Sequence, residues 1–138
     1  MNDERGNSLI EAILLGLLLI VPIVWTMGVL SEIHRAALAG ATAARAAGSD
    51  AARAESVGQA ESAVKIAVED AFSSQDLEAN RVRIQWSADP GFPRGGMLEI
   101  EVSYPVEILS APLLGEVGGP LLWIDAAHVA RIDPYRSR

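Results

Sequence analysis

Few side chains in this sequence stand where chemistry could be expected of them. His34 and His128 are the only histidines, and no cysteine occurs. Each histidine lacks the nearby companions that a metal centre needs, so both read as surface or structural residues. Glu99, Glu101 and Glu107 recur on one face of an alternating segment. Three carboxylates on an exposed strand face read as a solvated surface that discourages aggregation. Gly91, Gly95 and Gly96 sit in a connector with no helix after it, so they do not form a phosphate-binding loop. No nucleophile can be paired with a base. The expectation is a protein that is not an enzyme and uses no cofactor or metal.

Glu11 is different, because it is the only charged residue between Leu9 and Leu30. A helix over this stretch would be about 33 Å long, close to the ~30 Å hydrocarbon core of a bilayer. A carboxylate at the centre of such a helix costs roughly 2.5–3.5 kcal/mol, and less toward the interface. Two readings follow. Glu11 is solvated among headgroups, or it pairs with a cation in an assembled state.

The apolar run is longer than the roughly 7–15 residues of a secretory signal. The leader before it, Met1 to Gly6, carries two acids and one Arg rather than a basic cluster. The segment therefore reads as an anchor. Ala37-Leu-Ala39 resembles a signal cleavage site but lies beyond the apolar block. Basic residues do not settle its orientation: Arg5 precedes the anchor, and Arg35 and Arg45 follow it, which mildly favours a C-terminal side facing the cytoplasm. Pro22 lacks an amide hydrogen and should free the carbonyl of Leu18, favouring a kink. Trp25 reads as a depth anchor or a packing residue.

The elements that would position these residues follow from periodicity. Ser31–Ala47 continues the helix, with eight alanines in seventeen residues. Ala36, Gly40, Ala44 and Gly48 recur every four residues, a narrow face of small side chains that would let another helix approach closely. Gly48-Ser49-Asp50 is a plausible break, with Ser49 or Asp50 capping a second helix, although Gly48 alone only weakens a helix. From Ala51 to Phe72, residues Val57, Ala60, Val64, Ala67, Val68, Ala71 and Phe72 form an amphipathic face. Glu61 and Lys65 can pair on the other side.

The period then becomes two. Val82, Ile84 and Trp86 alternate with polar residues, as do Leu98, Ile100, Val102, Tyr104, Val106 and Ile108. A turn-rich stretch from Asp89 to Gly96 joins the two strands into an antiparallel hairpin. Pro105 fits an edge or a bulge. A loop from Ser110 to Pro120 leads to a third strand over about Leu122–Ile132. The expected fold is α+β: a long N-terminal transmembrane helix continuing into an amphipathic helix, packed on a small three-stranded antiparallel sheet. The divisions are a leader over 1–6, a transmembrane helix over 7–30, a helical region over 31–73 and a sheet region over 80–138.

The chain has 138 residues and a net charge of −7, with its 11 basic residues scattered. Without a basic cluster to neutralise phosphates, nucleic acid is not an expected partner.

Arg5-Gly6-Asn7-Ser8-Leu9-Ile10-Glu11 before an apolar run resembles the class III leader of type IV pilins and pseudopilins. That resemblance implies cleavage by a prepilin peptidase between Gly6 and Asn7, with Glu11 as the fifth residue of the mature chain. It further implies that Glu11 neutralises an α-amino group, its own or a neighbour's. The C-terminal run from Ala126 to Tyr135, with Arg131, Asp133 and Pro134, is similar to the closing strand of TadE-like minor pilins of the Tad (tight adherence) system. Ala12 follows Glu11, where Tad major pilins place Tyr, and the region beyond the anchor is much larger than theirs. The likeness implies a minor pilin in the bacterial cytoplasmic membrane, its C-terminal region outside the cytoplasm, incorporated in the pilus or its base. Its partners would be other pilins or pseudopilins, the Tad assembly machinery, the prepilin peptidase and membrane lipid. The alternatives are a type II secretion-like minor pseudopilin and an unprocessed single-pass scaffold.

Overall fold

A computed structural model describes residues 3–91, 93–108 and 120–132, with side chains from Ser8 onward. The expected loop from Ser110 falls outside the described residues until Pro120, as do Asp133, Pro134 and Tyr135. The first helix, α1, spans Asp3–Arg53. The structure divides within it into two units, Met1–Glu32 and Ile33–Arg138.

In the first unit the helix from Leu9 to Leu30 is apolar on all sides except at Glu11. Leu9, Leu14, Leu18, Leu19, Ile23 and Met27 all expose half or more of their surface. The helix is long and apolar enough to cross a membrane. It continues without a break through Pro22. The Thr26 hydroxyl donates to the Pro22 carbonyl at 2.7 Å, a back-bond to the preceding turn that hydroxyl side chains commonly make in helices.

The second unit is a two-layer α+β sandwich, as the sequence pattern predicts. The remainder of α1 and a second helix, α2 (Val57–Ser73), cover one face of an antiparallel sheet. Its strands are β1 (Arg83–Ala88), β2 (Met97–Glu107) and β3 (Leu121–Arg131), in the order β1-β2-β3. Pairing places Trp86 opposite Ile100 and Ile100 opposite His128, so alternate residues of all three strands turn toward the helices. Leu98, Ile100, Val102, Tyr104 and Val106 are buried along the central strand. From α2 come Ala60, Val64, Ala67, Val68, Ala71 and Phe72, all buried at the expected spacing. Val57, the first residue of the helix and expected on that face, is exposed. Phe72 stacks on Tyr104 with ring centroids 5.2 Å apart. Fully burying a side chain as large as Phe contributes about 1.5–3 kcal/mol.

Two local expectations change. The break between helices lies at residues 54–56, not at Gly48-Ser49-Asp50. Alanine-rich flanks outweigh the roughly 1 kcal/mol cost of one helical glycine, and α1 persists to Arg53. Ser49 and Asp50 hold the last turn instead: the Arg53 guanidinium donates to the Ser49 hydroxyl at 2.8 Å and lies 3.5 Å from the Asp50 carboxylate. The cap of α2 is Ser56, extended at φ −142°, whose hydroxyl accepts from the Gln59 amide. The Gln59 side chain reaches back to the Glu55 amide at 3.0 Å, close to the reciprocal pattern of a capping box.

The first strand also starts two residues later than Arg81, because Ala79–Arg81 form a 3-10 turn. Pro105 stands in the central strand rather than an outer one. Even so, β1 pairs with β2 only as far as Ser103, so β2 is locally an edge beside Pro105 and the missing amide hydrogen is tolerated there.

Candidate assembly interface

Glu11 lies on the first unit's helix with its side chain exposed. It makes no ion pair or hydrogen bond with any described side chain. Gly6 and Asn7 belong to the same helix, but their side chains fall outside the described residues. Helical spacing sets Asn7 and Glu11 one turn apart, about 6 Å along the axis and on the same face. An amino group on residue 7 would therefore start within reach of the carboxylate on residue 11. Around and beyond Glu11 the helix surface is mainly apolar, with Leu9, Ile10, Ile13, Leu14 and Leu15 all exposed. Such a surface can bury itself in lipid or against like helices, and in both surroundings an unpaired carboxylate is unfavourable.

The four small residues belong to the second unit, and the sheet occupies their face. Ala36, Gly40, Ala44 and Gly48 are all buried. A Cβ added to Gly40 would lie 3.2 Å from the Ala126 Cβ. One added to Gly48 would lie 2.7 Å from His128 Cδ2 and 3.4 Å from the Ala130 Cβ. At Gly40 and Gly48 the small-residue face thus lies against strand β3. The physical reason is reciprocal: β3 presents Ala126 and Ala130 there, so both surfaces are shallow and their backbones come close.

His128 is the larger group on that shallow surface, and it fits because position 48 has no side chain. Its place was readable in part, since it alternates in phase with Ala126 and Ala130. The glycine it meets is eighty positions away in the chain and could not be inferred. His34 is exposed on α1. Among the described residues, no cluster of three or more His, Asp or Glu could hold a metal ion.

The carboxylates of β2 separate into two roles. Glu99 and Glu101 are exposed beside Gln85, Trp86 and Ser87 around an open hollow of about 200 Å³. Glu107 instead accepts from the Arg81 guanidinium at 2.9 Å, with side-chain exposures of 42% and 31% respectively. Arg81 also lies over the Tyr104 ring, 5.7 Å from its centroid. On the opposite face of the sheet, Arg83 stacks over Trp123 at 3.9 Å, a cation–π contact spanning the central strand. Neither contact carries a sequence signal, because each joins residues far apart in the chain. The expected pair Glu61–Lys65 is present at 3.2 Å on the exposed side of α2.

A second open hollow, of about 360 Å³, is lined by Lys65, Val68, Glu69, Ala79, Asn80 and Ile84. It joins one cation and one carboxylate to apolar walls, and both charged groups point to solvent. The arrangement that remains distinctive is the lone carboxylate on the apolar helix. No protein-family model, curated protein or solved structure matches the chain.

Proposed function

We propose that this chain is a TadE-like minor pilin, cut between Gly6 and Asn7 by a prepilin peptidase and assembled through its N-terminal helix. The observation that supports the reading is Glu11. It is the sole charge between Leu9 and Leu30, exposed on a helix whose other side chains there are apolar or small. A buried ion pair is a poor source of net stability, but an unpaired charge left in an apolar bundle is strongly unfavourable. A subunit whose Glu11 meets an α-amino group in only one register is therefore held to that register. In this reading the anchor resides in the bacterial cytoplasmic membrane and the α+β unit lies outside the cytoplasm. Other pilins, the Tad assembly proteins and the peptidase are its partners.

The test is intact mass and N-terminal sequencing of the protein from cells with and without the peptidase. The expected result is a chain beginning at Asn7 only where the peptidase is present. A chain beginning at Met1 in both strains would overturn processing and favour an unprocessed single-pass scaffold.

A further inference from the structure

We draw no further inference here: the strongest candidate, the outer edge of strand β3 on the side away from β2, carries nothing because nothing in the structure shows what covers it.

Discussion

At Gly48 two effects oppose each other, and their sizes decide the outcome. Replacing a helical glycine by alanine gains about 1 kcal/mol in propensity. At Gly40 the added methyl would meet Ala126 at 3.2 Å, a contact that a small shift relieves, so the two effects nearly cancel. At Gly48 the added atom would lie 2.7 Å from the His128 ring, and overpacking of this kind typically costs about 1–3 kcal/mol. Gly48→Val, which lacks alanine's propensity and adds more bulk, is expected to lose about 2 kcal/mol. Thermal unfolding of the detergent-solubilised protein checks it. Pairing Gly48→Ala with His128→Ala should recover stability relative to Gly48→Ala alone, and a failure to recover would show that the ring is not the obstacle.

Glu11 belongs to the same scale. Gln keeps the shape and hydrogen-bonding capacity of Glu but cannot neutralise an amine. Under the proposed pilin role, Glu11→Gln is expected to leave membrane insertion intact and to reduce incorporation into the filament at least tenfold, about 1.4 kcal/mol. Membrane fractionation and quantification of the protein in sheared pili measure the two separately. Unchanged incorporation would remove the pairing role.

Among the elements, the strands were the most legible. Alternation in Ile84–Trp86 and in Leu98–Val106 places the correct residues on the helix-facing side, because a period of two leaves no choice of face once one side is apolar. The helix boundary was not legible to the same degree. Gly48 looked like a terminator because its lack of a side chain weakens helices, whereas here that same lack makes room for His128. The actual boundary is marked by Ser56 and Gln59, spaced as N-cap and third helical residue. Ser56→Ala removes the acceptor for the Gln59 amide and is expected to lower stability by about 1 kcal/mol. Chemical denaturation followed by circular dichroism would register it, while Ser62→Ala on the exposed side of α2 should change little.

At the scale of the whole molecule, the two units ask for different solvents. Every buried residue of the apolar core cluster lies at Ala36 or later, while most large apolar residues of the first unit, among those described, are exposed. The second unit thus carries its own core, with Phe72, Leu98, Ile100 and Ile132 as its largest fully buried side chains. A fragment from Ile33 to the C-terminus is expected to remain soluble without detergent and to unfold in one cooperative transition. Near-ultraviolet circular dichroism, reporting on Trp86, Tyr104 and Trp123, would follow it. Loss of that signal on removing the first 32 residues would show that the anchor contributes to the fold. Composition alone sets the apolar stretch up to Leu30 apart from the rest of the chain. What it could not announce was that the small-residue face belongs wholly to the second unit, since the strand that fills it lies at the far end of the chain.

The contact between α1 and β3 has one more consequence. Alanine and glycine have no side-chain rotamers to freeze, so this interface orders almost no side-chain freedom when it forms. By the same token, apart from the His128 ring, it has nothing that can rotate out of the way. The buried leucine, isoleucine and valine of β2 can repack around a substitution, whereas side chains larger than alanine at Gly40, which faces the Cβ of Ala126, must move backbone against backbone. Tolerance to substitution should therefore fall most steeply along the plainest residues in the protein.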